Sequence, residues 1–149
     1  MFSEQRPKIK KIYLVGSLRN PQVPVLAARL RKEGFIVFDD WFAAGPEADD
    51  YWQKYEQSRG RSMGDALAGL AADHVYHFDK KHLDECDAVI LQMPAGKSGH
   101  LEFGYCIGQG KKGFVLFEKE PERWDVMYSF ATKVLYAESA LIKELSGWS

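Results

Sequence analysis

The sequence predicts an α/β fold, a three-layer sandwich in which helices cover both faces of a mostly parallel five-stranded sheet. The chain of 149 residues has the length of one domain. Short β-branched and apolar runs alternate along it with segments of helical periodicity. The apolar runs lack the polar alternation of a strand with one wet face, and strands that alternate with helices form parallel sheets.

The first half of the chain begins with a predicted strand, loop and helix. Residues 9–15 form an apolar run that predicts a buried strand, and a loop over 16–21 follows it. Apolar residues then recur at helical spacing up to a glycine stop signal, at Val23, Leu26, Ala27, Leu30 and Gly34. A second strand is predicted over 35–38, and two helices joined near Gly60 over 49–78.

The second half repeats the alternation. A third strand is predicted over 87–92, a loop over 94–99 and a helix from about 100 to 109. A fourth strand over 114–117, a short helix over 124–130, a fifth strand over 133–136 and a last helix from Glu138 complete the prediction. Ligands of such sheets bind beyond the carboxyl ends of the strands, which directs attention to the loops 16–21, 39 onward and 94–99.

Composition excludes several classes of protein. The net charge is −1 with scattered Lys and Arg residues, so we expect no polymeric nucleic acid as a partner. No apolar run reaches the roughly 18 residues of a membrane span, and residues 1–11 lack the apolar core of a signal peptide. Cys86 and Cys106 show no metal-ligand spacing and suit a reducing compartment. We therefore expect a cytoplasmic, single-domain protein over 1–149, with 1–8 flexible, no membrane contact and no metal.

The most informative segment is a loop of small residues at 94–99 that leads into a helix containing Glu102. We expect this carboxylate in the first turn, where the helix dipole favours ionisation by roughly 0.3–1 kcal/mol. An ionised, positioned carboxylate can act as a nucleophile. Position alone leaves open that Glu102 merely caps its helix.

Small residues around Glu102 suit a ligand that approaches the backbone. Gly96 and Gly99 permit close approach, and Ser98 can donate to a phosphate or a sugar hydroxyl, although turn geometry alone would also explain them. The segment lacks the upstream glycine of a P-loop, and the loop after the first strand lacks the GxGxxG of a dinucleotide site. No cofactor is expected.

Three motifs stand out together: Ile-Tyr-Leu-Val-Gly-Ser at 12–17, Phe-Asp at 78–79 ahead of Cys-Asp-Ala at 86–88, and Gly-His-Leu-Glu-Phe-Gly-Tyr at 99–105 followed by Gly-Gln-Gly-Lys at 108–111. Their combination resembles the nucleoside 2-deoxyribosyltransferase family, which also contains nucleoside 5'-monophosphate N-glycosidases. The resemblance extends from Lys10 to about Phe130. It implies a flavodoxin-like or Rossmann-like domain that transfers 2-deoxyribose between nucleobases.

The resemblance also implies roles for individual residues. Glu102 matches the nucleophile that attacks C1', Asp79 the residue that protonates the departing base, and Tyr13 the residue that holds the nucleophile. Asp125 and Met127 match a motif that reaches into the neighbouring subunit's site, with Asp125 in place of the family's Asn. A homo-oligomer built from dimers, a tetramer or a hexamer, is therefore implied. Together with the loops at the ligand edge, this gives an expected substrate-binding set of Gly16, Ser17, Asp39, Trp41, Gly96, Ser98, Asp125 and Met127.

Several alternatives remain open at this stage. Arg19 either binds a 5'-phosphate or pairs with Asp39, and His100 either contacts a phosphate or starts its helix. Trp52 and Tyr55 either form a lid or, as we prefer, pack. The expected partners are small molecules, deoxynucleosides and nucleobases. The alternative to transfer of the sugar is hydrolysis of a nucleoside 5'-monophosphate. A nucleotide-binding module without catalysis is the alternative of another class.

Overall fold

The computed structural model describes residues 8–148 of the chain. It contains five parallel strands in the order β2-β1-β3-β4-β5, which is the flavodoxin-like order. The strands are β1 (Lys11–Val15), β2 (Ile36–Phe38), β3 (Ala88–Gln92), β4 (Lys112–Leu116) and β5 (Lys133–Leu135). The predicted α/β fold with its five-stranded sheet is confirmed, and all of its pairings are parallel. The predicted flexibility of 1–8 falls almost entirely outside the described residues.

The helices follow the predicted order with two differences. They are α1 (Gln22–Lys32), α2 (Ala48–Ser58), α3 (Met63–Leu67), α4 (Leu70–Glu85), α5 (Lys97–Gly108) and α6 (Glu138–Ser146), with 3-10 helices at Asp40–Ala44 and Val126–Phe130.

The first difference concerns residues 49–78, over which two helices were predicted. Three are present, because Ser62 caps the short α3 by accepting a hydrogen bond from the Asp65 N–H, and Gly69 then starts α4. The junction near Gly60 is confirmed, and Gly60 has the positive φ of 73° that favours glycine at such a break. α4 runs on to Glu85 instead of ending near residue 78.

The second difference is the start of α5. The prediction placed it at about His100, but the helix begins at Lys97 with Gly96 as its N-cap. Glu102 is consequently the sixth helical residue, in the second turn. The dipole effect falls off within the first turn, so the predicted stabilisation of an ionised Glu102 by the helix N-terminus is wrong.

The helices form the outer layers of the sandwich. One cluster of buried residues joins the sheet to α1 and α6 through Leu26, Leu30, Leu141 and Leu145. A second cluster joins the opposite face of the sheet to α4 and α5 through Leu83, Phe103 and Cys106. β1 alternates between them: Ile12 and Leu14 belong to the first cluster, whereas Tyr13 and Val15 belong to the second. Period-2 alternation therefore places Tyr13 on the α4/α5 face.

Two glycines allow α5 to lie close to the sheet. A Cβ on Gly99 would meet Val15 Cγ1 at 2.9 Å and Leu91 Cδ1 at 3.4 Å, and a Cβ on Gly113 would meet Ile107 Cδ1 at 2.4 Å. Gly99 therefore permits the close approach of α5 to β1 and β3. The sequence had suggested that this glycine permits the approach of a ligand. Among residues 8–148, no helix combines the length and apolarity needed to cross a membrane.

The packing at Gly113 predicts a stability difference between two glycine variants. Gly113→Ala should lower the free energy of unfolding by about 1–3 kcal/mol, because the added methyl group also meets the Phe103 ring at 2.9–3.0 Å. The matched control is Gly104→Ala in the interior of α5, where the added Cβ has open space and should stabilise the helix by up to about 1 kcal/mol. Urea denaturation of the two variants checks this, and equal effects would contradict the packing described.

Candidate active site

A short hydrogen bond joins β1 to α5 at the carboxyl end of the sheet. The Tyr13 hydroxyl donates to Glu102 Oε2 at 2.5 Å. Tyr13 is 1% exposed, so its ring is fixed by the core. Burial first, and then the neighbouring carboxylate of Glu102, raise the pKa of Tyr13 well above its usual range. The phenol therefore stays protonated and acts as a permanent donor to Glu102.

The environment of Glu102 makes its carboxyl group a weaker acid than usual. Burial raises the pKa of Glu102 to about 7, the hydrogen bond from Tyr13 acts in the opposite direction, and the charge of Asp79 adds to the rise. Both protonation states of Glu102 are therefore accessible near neutral pH. A carboxyl group at the ligand edge of the sheet that is tuned in this way is a candidate for catalysis.

Asp79 supplies a second carboxyl group with a raised pKa. It lies in the middle of α4, half-buried, and burial raises its pKa to about 6. Its charge acts on both Tyr13 and Glu102, so the three side chains share one region of the α4/α5 face. The structure thus brings together the three residues predicted as catalytic.

Aromatic rings for which no role was predicted flank this region. Phe38 at the end of β2 lies 4.9 Å from the Tyr13 ring, between centroids, and stacks on the His82 ring at 3.9 Å. Phe78, half exposed, contacts both Phe38 and His82 edge-on. Phe78 and His82 lie one turn apart on α4, a spacing that could have indicated a shared face with Asp79. The rings form an apolar wall beside the carboxyl groups.

The loop after β1 carries the predicted substrate residues Gly16 and Ser17. A Cβ on Gly16 would meet Val23 Cγ2 at 2.9 Å, so this glycine lets α1 lie close to the loop. Ser17 Oγ accepts a hydrogen bond from the Arg19 N–H at 3.1 Å. The Arg19 side chain pairs with Asp50 at 3.4 Å, and the pairing with Asp39 that the sequence left open is wrong.

The start of α5 is open toward solvent at two of the predicted positions. Gly96 and Ser98 are exposed, and a Cβ on Gly96 would meet nothing within 4 Å. His100 Nδ1 lies 2.8 Å from the Gly96 carbonyl oxygen, and its Nε2 lies 3.1 Å from the Tyr128 hydroxyl. His100 therefore connects the start of α5 to the 3-10 helix Val126–Phe130.

Asp39 and Trp41 already have partners within the chain. Asp39 Oδ1 accepts a hydrogen bond from Arg31 at 2.6 Å. β2 pairs with β1 only as far as Tyr13, and the Trp41 indole N–H donates to the carbonyl of Leu14, the next residue of β1, at 2.8 Å. These contacts fix both side chains.

Asp125 and Met127 lie on an exposed segment of the chain. Asp125 Oδ1 caps the 3-10 helix by accepting a hydrogen bond from the Met127 N–H at 2.8 Å. The surface around them is apolar, with large exposed fractions for Trp124, Val126, Met127 and Phe130.

A cavity of about 350 Å³ lies apart from Glu102, between the starts of α1 and α6 and the ends of β3, β4 and β5. Gln92 lines it, and its Oε1 atom is buried without a hydrogen-bond partner in residues 8–148. No role was predicted for Gln92, because it lies at the end of an otherwise apolar strand. The described residues contain no cluster of His, Cys, Asp and Glu that could hold a metal ion.

Comparison with known proteins gives matches in structure alone. No protein-family model and no curated protein matches the chain. A conserved protein from Enterococcus faecalis V583 has a TM-score of 0.62 and 12% identity, with 93% of this chain and 98% of that chain covered. The CMP N-glycosidase BcmB from Clostridium botulinum has a TM-score of 0.55 and 16% identity, with 92% and 99% covered. At these identities the likeness is one of fold, and this chain is similar to both proteins along nearly its whole length.

Proposed function

We propose that this protein breaks and re-forms N-glycosidic bonds of 2-deoxynucleosides, passing the sugar from one nucleobase to another through a covalent bond to Glu102. The observation that carries the proposal is the hydrogen bond from Tyr13 to Glu102 beside a second carboxyl group, Asp79. Cleavage of this bond builds positive charge on the sugar and negative charge on the base. A carboxylate for the sugar and a proton donor for the base answer both needs.

The proposed reaction has two displacements at C1'. Tyr13 holds Glu102 Oε2, so we assign the attack on C1' to Oε1. The bond from C1' to the base nitrogen breaks as the Asp79 carboxyl group gives its proton to the departing base. A second base then attacks C1' and displaces Glu102, while Asp79 takes a proton back. Two inversions retain the β configuration.

The second candidate is hydrolysis of a nucleoside 5'-monophosphate, in which water replaces the second base. It is favoured by the likeness in fold to a CMP N-glycosidase and by the open start of α5 at Ser98. Helix N-termini bind phosphate through free N–H groups. In this case Ser98, Arg19 and His100 would hold the 5'-phosphate.

The oligomer implied by the resemblance is part of the proposal. Asp125 and Met127 lie on an exposed apolar segment and would complete the site of a neighbouring copy. Because Asp125 already caps its own 3-10 helix through Oδ1, its Oδ2 is the atom that we assign to a sugar hydroxyl.

The central test is a product analysis by HPLC. Deoxynucleosides are incubated with and without a second free base, and CMP and dCMP are incubated alone. Exchange of bases is expected with the wild type, and Glu102→Ala should reduce it by roughly 10³-fold or more. Glu122→Ala, which removes an exposed carboxylate elsewhere, should leave the rate unchanged.

Three outcomes of this test separate the alternatives. Free base released from the monophosphates without an acceptor would select hydrolysis. Exchange that survives in Glu102→Ala would exclude the covalent role of Glu102. Ligand binding without turnover, insensitive to Glu102→Gln, would point to a binding module.

The Tyr13 hydroxyl should act on the protonation of Glu102. In Tyr13→Phe the pKa of Glu102 should rise further above about 7, because the hydrogen bond that lowers it is gone. We expect roughly a tenfold loss of kcat/KM at pH 6 and a smaller loss at pH 8. Tyr136→Phe removes a hydroxyl from an exposed tyrosine and is the control. A uniform loss across the pH range would argue for a purely structural role of Tyr13.

The two carboxyl groups predict a bell-shaped pH profile. The nucleophile Glu102 must be ionised, so the acid limb of the profile follows its pKa of about 7. The proton donor Asp79 must be protonated, so the alkaline limb follows its pKa of about 6. The optimum of kcat/KM should therefore lie between about pH 6 and 7.

The Asp79→Asn variant tests this assignment. It should abolish the alkaline limb and move the acid limb to lower pH, since the charge that helps raise the pKa of Glu102 is removed. Asp73→Asn, an exposed position on the same helix, should retain both limbs. An alkaline limb that persists in Asp79→Asn would assign it to another group.

A further inference from the structure

The two cysteines of the chain meet in the core between α4 and α5. Cys86 follows the last residue of α4, and Cys106 lies on α5. Their Sγ atoms are 4.0 Å apart, and the two residues are 4% and 0% exposed. A disulfide needs about 2.05 Å between the sulfur atoms, so a movement of about 2 Å would allow the bond. The chain contains two cysteines in total, so any intramolecular disulfide joins this pair.

The surroundings of the two thiols differ. Lys111 Nζ lies 3.8 Å from Cys86 Sγ and is held there because it also donates to the carbonyl oxygens of Leu83 and Asp84. The hydrogen bond with Cys106 and the positive charge of Lys111 lower the pKa of the Cys86 thiol, against the effect of burial. The hydrogen bond with Cys86 and burial raise the pKa of Cys106. Cys86 is therefore the thiol that forms a thiolate.

Cys86 also borders a cavity through which a small molecule can approach it. The cavity has a volume of about 250 Å³ and lies at the amino ends of the strands, opposite the edge of the sheet that carries Glu102. Its lining includes Cys86 and three lysines, Lys8, Lys111 and Lys112. The one carboxylate in the lining, Asp87, accepts hydrogen bonds from the Lys10 and Lys11 N–H groups. Of the three lysines, Lys111 is the one whose ammonium group lies beside the thiol.

We propose that Cys86 and Cys106 form a reversible redox pair, in which Cys86 reacts with a peroxide and Cys106 closes the disulfide. The Cys86 thiolate attacks one oxygen of hydrogen peroxide, the O–O bond breaks, and a sulfenic acid and hydroxide result. The Cys106 thiol then attacks the Cys86 sulfur and water leaves. In sum, two thiols and one peroxide give one disulfide and two waters, and the sulfur atoms lose two electrons.

The disulfide would act on the candidate active site through α5. Cys106 follows Glu102 by one helical turn, and Asp79 lies on α4, whose last residue, Glu85, precedes Cys86. Drawing the two sulfur atoms together shifts α5 relative to α4 and hence Glu102 relative to Asp79. Loss of activity on oxidation, restored by dithiothreitol, is the expected consequence, and this consequence rests on the proposed function.

The primary test counts thiols and requires no activity. The full-length protein is treated with hydrogen peroxide, with glutathione in a parallel sample as an ordinary thiol. We expect both thiols to become untitratable, a mass lower by two hydrogen atoms, a monomer on a non-reducing gel, and full recovery with dithiothreitol. Two titratable thiols remaining after glutathione is consumed, or oxidation that yields a disulfide between chains, would overturn the proposal.

Variants test which thiol reacts with peroxide, which thiol closes the disulfide, and how the charge of Lys111 affects the rate of oxidation. Cys106→Ser should stop at a sulfenic acid on Cys86 that dimedone traps, and Cys86→Ser should leave Cys106 unreactive. Lys111→Met should slow oxidation about tenfold, while Lys111→Arg restores it. Lys112→Met removes the same charge from the same cavity and should leave the rate unchanged. Equal rates in Lys111→Met and Lys112→Met would contradict the role of Lys111.

The two proposals fail in different ways. If the disulfide closes in a protein that exchanges no bases, the redox pair stands and the proposed function fails. If bases are exchanged and the thiols stay free, the proposed function stands alone. If the disulfide closes and base exchange continues unchanged, the coupling through α5 is wrong.

Discussion

A half-buried carboxyl group held by a fixed phenol is the constraint around which this site is arranged. Burying Glu102 is costly when it is ionised, and the Tyr13 hydroxyl at 2.5 Å offsets part of that cost. The bond spans two elements, β1 and α5, so it requires the helix to lie close to the strand. Gly99 provides that closeness, since any side chain there would meet Val15. Packing in the core and protonation at the site are thus determined together.

The sheet separates the structural and chemical roles of neighbouring residues. Along β1, Leu14 faces the α1/α6 cluster while Tyr13 and Val15 face the α4/α5 cluster. The face that carries Tyr13 also receives Glu102 from α5 and Asp79 from α4. Two carboxyl groups with raised pKa values in one apolar region cannot both be ionised without cost, which favours one charged and one neutral member.

Periodicity predicted the strands, the order of the helices and the loops at the ligand edge, because buried strands and amphipathic helices leave local patterns. The true start of α5 could not be read locally, since Gly96 caps it with backbone geometry and no side-chain hydrogen bond marks the position. Likewise, the partners of Asp39 and Trp41 depend on tertiary contacts with Arg31 and Leu14. Burial, which dominates the pKa of Glu102, is a property of the folded chain and outweighed the dipole argument made from position.

Trp41 makes the β2 side of the site apolar. Its indole N–H is engaged by the Leu14 carbonyl, and its ring packs against both core clusters, so this side presents carbon surface and no free donor from Trp41. A wall of this kind offers water nothing to bind. A sugar held on Glu102 would therefore exchange its base or hydrolyse according to what enters from the loops. In the proposed reaction, the access of an acceptor base or of water to that sugar would then decide between transfer and hydrolysis.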